Sequence, residues 1–112
     1  MGQIDSALIC YQKSALLIEK DPKREHVLNQ GFIRAWIGEL FVAREQFRLA
    51  AVFFRAAYLK WEQVAPPRAS KVMQLAEQIK NRLADAVQID DRDIERICLD
   101  WILGRSVDAQ FR

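Results

Sequence analysis

One stretch constrains the fold more than any other, the sequence FRLAAVFFRAAYLKW from Phe47 to Trp61. Nearly every position in it is apolar, and its charged residues are Arg48, Arg55 and Lys60. A surface helix shows one apolar stripe, whereas a helix that is apolar on most sides is buried on most sides. The stretch is shorter than the ~20 apolar residues that cross a bilayer. It therefore predicts the central helix of an all-α domain.

The small residues of this helix predict how its neighbours pack. They are Ala50, Ala51, Ala56 and Ala57, and small side chains let other helices approach closely. The chain has 112 residues, which fits one domain, and with 4 Gly and 3 Pro it has little loop. We expect about five helices in a single all-α domain over residues 1–104. Residues 105–112 should form a tail, whose Val107 and Phe111 are apolar enough to dock back.

The N-terminal third predicts one helix and one connector. Apolar residues spaced three and four apart predict a first helix from about Gln3 to Lys20. Its inner face is Ile4, Leu8, Tyr11, Ala15 and Ile18. Asp21-Pro22 should end it, because the residue before proline disfavours the helical region. The polar segment Lys23–Gln30 should be a connector, with Gly31 as its hinge.

The segment after Gly31 can be read as one helix or two. Beyond Gly38 there is no Gly or Pro before Trp61, which permits a single helix of about 33 residues, roughly 50 Å long. A compact chain of this length has a radius of gyration near ~13 Å, so such a rod would project from it. We therefore favour a break at Ala43–Gln46 and an antiparallel helix pair.

Two further helices are expected in the C-terminal half. Pro66-Pro67 closes the central helix and opens the next, since proline suits a first helical turn. Over Ser70–Gln88 the pattern is amphipathic, with Val72, Ala76, Ile79, Leu83 and Ala86 inward. Asp90 is a predicted N-cap of the last helix and Gly104 its stop. That helix should turn Ile94, Ile97, Cys98, Trp101 and Ile102 inward.

The cysteine positions and the N-terminal segment indicate the cellular location, and the net charge bears on the class of partner. Cys10 and Cys98 each lie within an apolar run, so we interpret both as reduced core cysteines. The first apolar stretch is short and follows Asp5, unlike a signal peptide. A cytoplasmic location is expected. The formal net charge of +2 is too small to indicate nucleic acid by itself.

Catalytic and metal-binding patterns are weak in this sequence. His26 is the single histidine, so neither a zinc set nor a Cys–His nucleophile is indicated. Four acids, Asp90, Asp91, Asp93 and Glu95, could hold a divalent ion, but they lack the central glycine and closing glutamate of a calcium loop. Acids in a first helical turn are already favoured by the helix dipole. We expect no enzymatic activity, no cofactor and no metal.

Three arginines, Arg44, Arg48 and Arg55, are spaced four and seven residues apart along the central helix pair. Together they could grip a carboxylate-rich segment or a phosphate backbone. Alternatively they form a solvated stripe paired with Glu45 and Glu62, which the small net charge favours. A helical nucleic-acid-binding regulator using these arginines is the alternative function, although nucleic acid is not the partner we expect.

Residues Gly31–Glu62 resemble the tetratricopeptide repeat, whose signature is W-x2-L-G-x2-Y, then A-x3-F, then P. Ile37-Gly38-x2-Phe41 stands in for the first part, and Ala50-x3-Phe54 matches the second. Arg34 occupies the place of the family's tryptophan, and Glu62 that of its closing proline. The first helix resembles the second helix of a preceding repeat. About one and a half repeats are covered.

The resemblance implies a binding surface, because the first helix of each repeat lines a concave groove. Mapped onto this chain, Phe32, Ala35, Glu39 and Val42 would face a bound protein or peptide segment. Alternatively, Phe32 and Val42 pack on other helices of the same chain. The leading hypothesis is a non-enzymatic interaction module: an adaptor, a small chaperone or an assembly subunit. The surplus of tryptophans, at positions 36, 61 and 101, adds the expectation of a homodimer.

Overall fold

Five α-helices organise the computed structural model, which describes residues 2–19, 24–82, 90–107 and 111. They are α1 (Gly2–Glu19), α2 (Arg24–Ala43), α3 (Phe47–Trp61), α4 (Pro66–Ile79) and α5 (Asp91–Ile102), and a 3-10 turn at Lys80–Arg82 follows α4. No strand occurs in these ranges. The prediction of an all-α fold is confirmed, in the form of a small helical bundle.

Helix α3 lies at the centre of the bundle, where it packs against α2, α4 and α5. Its buried residues are Leu49, Ala50, Val52, Phe53, Phe54, Ala56, Ala57 and Trp61. Helix α5 returns across the bundle to contact both α1 and α3. Trp101 of α5 lies edge-on to Phe41 and Phe53, with ring centroids 5.5 Å from each. The side-chain amide of Gln12 in α1 donates to the Trp101 carbonyl at 2.6 Å.

The predicted break between α2 and α3 is confirmed. Helix α2 ends at Ala43 and α3 begins at Phe47, and the backbone N–H of Gln46 donates to the Phe41 carbonyl at 2.9 Å to close the turn. The exposed residue Glu45 has a φ of 61°, in the left-handed region that favours glycine. The reversal therefore uses a glycine-type turn without a glycine.

Replacing Glu45 with glycine is expected to raise the free energy of unfolding by up to about 1 kcal/mol. A side chain in the left-handed region costs about 1–2 kcal/mol, part of which the greater chain entropy of glycine offsets. Urea unfolding followed by circular dichroism measures the change. Glu45→Ala is the matched control, since it removes the carboxylate and keeps a Cβ. Equal stability of the two variants would show that the turn carries no strain.

Two glycines mark close contacts between helices. A Cβ at Gly38 would lie 2.7 Å from the Phe54 ring, so the lack of a side chain at Gly38 lets α3 press against α2. A Cβ at Gly31 would lie within 2.6 Å of three atoms of the Trp61 indole. The indole Nε1 also donates to the Leu28 carbonyl at 3.0 Å. Both glycines lie within α2 and allow α3 to pack closely against it.

The predicted connector Lys23–Gln30 was wrong from Arg24 onward. Helix α2 begins at Arg24, Gly31 lies within it rather than acting as a hinge, and the backbone of His26 is helical. Gly31 disfavours a helix by about 1 kcal/mol relative to alanine. Its contact with Trp61 supplies the tertiary stabilisation that outweighs this preference.

The C-terminal half follows the predicted pattern within the described ranges. Val72 and Ile79 of α4 are buried and Ala76 is partly buried, whereas Leu83 and Ala86 lie outside the described residues. The Asp90 side chain caps α5 by accepting from the backbone N–H of Arg92 at 3.0 Å. Beyond α5, Val107 and Phe111 of the predicted tail are both buried in the core.

The cysteine prediction was correct for one residue only. Cys98 is buried and Cys10 is exposed, and both are free thiols. Cys10 lies on the outward side of α1, together with Ile9 and Leu17, since α1 is covered from one direction by α2 and α5. An apolar run in a peripheral helix does not make each of its members a core residue. No helix in the described part of the chain combines the length and apolarity that crossing a bilayer requires.

Candidate partner-binding groove

A groove of about 170 Å³ opens between α2 and α4, and we name it the α2/α4 groove. Helix α2 contributes Phe32, Ala35, Trp36 and Glu39, and helix α4 contributes Arg68, Lys71, Val72 and Leu75. Trp61, the last residue of α3, lines it as well. The chain reverses direction between α2 and α3 and again between α3 and α4, so α2 and α4 present their sides to the same surface.

The groove is built from apolar side chains with one large ring open to solvent. Ala35, Trp61 and Val72 are buried, whereas Trp36 keeps 44% of its surface exposed. Phe32 holds the aromatic residues together: its ring centroid lies 5.1 Å from that of Trp61 and 5.6 Å from that of Trp36. The indole ring of Trp36 is therefore held in position by its contact with a neighbouring ring, although much of its surface is exposed.

Charges lie on both edges of the α2/α4 groove. Arg68 and Lys71 stand on the α4 edge and Glu39 on the α2 edge, and all three are exposed. The Arg68 guanidinium carbon lies 4.3 Å from the centroid of the Phe32 ring, a cation–π contact. Among the described residues, no carboxylate lies within 4.0 Å of the charged groups of Arg68 or Lys71. The groove thus combines an apolar centre with unpaired charges at its edges.

Three of the four predicted partner-binding residues meet in this groove. Phe32, Ala35 and Glu39 line it, whereas Val42 does not and packs against the core instead. The interpretation as a binding site stays a prediction. Sequence reasoning missed the other residues of the groove: Trp36, Trp61, Arg68, Lys71, Val72 and Leu75. The signal for the α4 edge was available, because Pro66-Pro67 opens a helix that places Arg68 and Lys71 three residues apart on one side.

A second cluster of polar residues lies inside the bundle, and we name it the ionic cluster: Glu19, Arg34, Lys60 and Glu95. Arg34 is fully buried, and its Nη2 donates to both Glu19 and Glu95 at 2.6 Å. The Arg34 Nε donates to the same Glu95 oxygen at 3.1 Å, and Lys60 Nζ lies 3.0 Å from the other one. The cluster joins α1, α2, α3 and α5.

The pKa shifts of Arg34 and Glu95 favour the charged forms of these two side chains. Burial lowers the pKa of Arg34, but Glu95 and Glu19 outweigh it and leave that pKa above its ordinary value. Burial raises the pKa of Glu95, and the nearby cations Arg34 and Lys60 bring it below its ordinary value of 4.5. Burial also raises the pKa of the Cys98 thiol, which keeps it protonated and unreactive. Since Arg34 has no exposed surface, the cluster ties helices together rather than receiving a ligand.

The acids of α5 each have a structural role. Asp90 caps the helix, Asp91 accepts two hydrogen bonds from Arg55 at 2.9 Å, and Glu95 belongs to the ionic cluster. Asp93 lies 3.7 Å from Arg96. The Arg55 contact holds the pKa of Asp91 below its ordinary value. Across the described ranges, no group of three or more His, Cys, Asp and Glu side chains is placed to hold a metal ion.

Two of the three arginines of the predicted anion-binding stripe pair with different helices. Arg44 pairs with Asp5 of α1 at 3.2 Å, whereas Arg55 pairs with Asp91 of α5. Arg48 is partly buried. The ion-pair partners of Arg44 and Arg55 are thus aspartates of other helices rather than Glu45 and Glu62. A phosphate backbone would have to compete with both of these pairs.

Two of the three tryptophans that suggested a homodimer pack against other residues of the same chain. Trp61 is buried, and Trp101 is partly buried between Phe41 and Phe53. Trp36 is the remaining one with a large exposed surface. It belongs to the α2/α4 groove, so the unexplained aromatic surface coincides with the candidate site.

Comparisons with known proteins identify no relative of this chain, so the functional argument depends on the site itself. A scan against protein-family models gave no match, and searches of curated proteins and of solved structures gave none either. What can be said of the class is that the chain is a small all-α bundle with an apolar groove bordered by charges.

Proposed function

We propose that the protein is a non-enzymatic interaction module of the cytoplasm, an adaptor, small chaperone or assembly subunit that binds a partner's peptide segment in the α2/α4 groove. The single observation that carries the proposal is Trp36, a large ring with 44% of its surface exposed, fixed beside an apolar groove. Aromatic residues held at the centre of a depression dominate the energetics of many interfaces.

A tetratricopeptide-like arrangement is part of the proposal. In it, α2 and α3 form one helix pair and α1 is the second helix of a preceding pair, which makes about one and a half repeats. This arrangement would account for the position of Phe32, Ala35 and Glu39 on the groove side of α2. Assembly as a homodimer remains a further proposal, whose contacts would have to leave Trp36 accessible if the groove binds a separate partner.

The direct test is peptide selection followed by NMR. Peptides selected from a random display library on the full chain are expected to shift the indole N–H signal of Trp36 and leave that of Trp101 unchanged. Trp36→Ser should weaken their binding about tenfold, which corresponds to the loss of ~1.4 kcal/mol. Leu103→Ser is the matched control, because Leu103 is 42% exposed at the end of α5, away from the groove. Equal binding to the two variants would contradict the proposal.

A further inference from the structure

We infer that the occupant of the α2/α4 groove is an acidic peptide segment: one large apolar side chain enters the groove, and a nearby carboxylate meets Lys71 and Arg68. The inference rests on the proposed function and adds the chemistry of the partner. Three features of the groove carry it, namely the balance of charges at its edges, the placement of those charges and the size of its apolar part.

The α4 edge is positively charged without compensation. Arg68 lies in the first turn of α4, which contains no acidic residue, and Lys71 follows three residues later. The positive end of the helix dipole adds to the charge of Arg68 there. Neither cation has a carboxylate partner among the described residues, so both are hydrated in the free protein. A segment that covers them must replace that water, and a carboxylate does so with a charge-assisted hydrogen bond.

The position of Glu39 bears on whether the groove favours an acidic or a basic peptide segment. Among the described residues it is the one acidic residue that lines the groove, and it lies on the α2 edge, so these residues give the edges two positive charges against one negative. A basic segment would meet two like charges and gain one partner. An acidic segment gains two partners, provided its carboxylate points toward α4. Electrostatic complementarity of this kind selects the partner more than it sets the total affinity.

The apolar part of the groove matches one side chain rather than a long helix face. Its volume of about 170 Å³ is below the ~300–1,000 Å³ of small-molecule pockets. Trp36 forms one wall, Leu75 lines the α4 side, and Ala35 keeps the centre open because its side chain is small. A single Leu, Phe or Trp of the partner fits this space, with the charged contacts reached by residues beside it in sequence.

The test uses the same peptide library and a charge reversal. Peptides selected on the wild-type chain are expected to be enriched in Asp and Glu beside a large apolar residue. Lys71→Glu should weaken them about tenfold at low salt, and less at high salt, where exposed charges are screened. Lys71 makes no ion pair within the described chain, so circular dichroism should show the variant folded. Lys80→Glu is the control, since Lys80 is exposed beyond the end of α4 and does not line the groove.

A charge swap makes the result specific. Selected peptides whose acidic residues are changed to Lys should bind Lys71→Glu better than they bind the wild type. Peptides enriched in Lys and Arg, or bound equally by wild type and Lys71→Glu, would overturn the acidic partner while leaving the groove intact. Binding that is insensitive to Trp36→Ser would instead overturn the groove itself. The two failures are therefore separated by two different variants.

Discussion

Replacing Arg34 with methionine is expected to lower the free energy of unfolding by about 3–5 kcal/mol. The change leaves Glu19 without its cation and Glu95 with Lys60 alone. Both carboxylates are largely shielded, with 19% and 34% of their side chains exposed, so water replaces the lost contacts poorly. Urea unfolding measures the loss, read as a lower midpoint at constant slope.

Two further variants show whether the loss comes from the ionic cluster. Arg96→Met is the matched control, because Arg96 is 60% exposed and pairs with Asp93 and Asp100 at the surface of α5. We expect it to change stability by less than about 1 kcal/mol. The double variant Arg34→Met, Glu95→Met should recover part of the loss, since apolar residues can replace a buried ion pair. A single Arg34→Met variant as stable as Arg96→Met would show that the cluster contributes little.

Replacing Gly31 with alanine is the second change with a large expected effect, a destabilisation of about 2–3 kcal/mol. In an ordinary helix the same change would stabilise by up to ~1 kcal/mol. Here the new Cβ overlaps the Trp61 indole, so the ring must move and its hydrogen bond to the Leu28 carbonyl is strained or lost. Thermal or urea unfolding gives the magnitude of the change in the free energy of unfolding and, more importantly, its sign.

A second substitution tests the mechanism of the Gly31→Ala effect. In a Trp61→Leu background the indole is absent, so Gly31→Ala should cost much less, and the two changes should be non-additive. Additive effects would mean that the overlap with Trp61 is not the cause. Because Trp61 also lines the α2/α4 groove, Gly31→Ala should weaken peptide binding as well as stability.

The sequence was sufficient to predict where α3 begins and ends, where α2 ends and where α5 begins. The bounds of α3, the reversal after Ala43 and the N-cap at Asp90 all agree with the structure. The first and last depend on chemistry within a few residues, an apolar run and an aspartate before a periodic helix, whereas the reversal was predicted from the size of a compact chain. The start of α2 was missed for the opposite reason, since the residue that packs against Gly31 is Trp61, thirty residues later.

The candidate site was predictable in part. Helical periodicity placed Phe32, Ala35 and Glu39 on one side of a helix, and the resemblance to the tetratricopeptide repeat implied that this side faces a groove. Local spacing puts Arg68 and Lys71 on one side of α4, but their closeness to α2 depends on how the helices are arranged and could not be read from that spacing. The burial of Arg34 was also missed. A charged residue is expected outside unless paired, and its partners Glu19 and Glu95 lie 15 and 61 residues away.

The return of α5 across the bundle has a kinetic consequence. Most of the closely packed helices are consecutive in the chain and are separated by a few residues, so their pairing closes small loops. The contact between Gln12 and Trp101 joins residues 89 positions apart. Its closure entropy is repaid only after the α2–α3 pair has formed a surface for α5 to dock on. The first and last helices should thus be the slowest part of the bundle to assemble, and the surface between them the first to open.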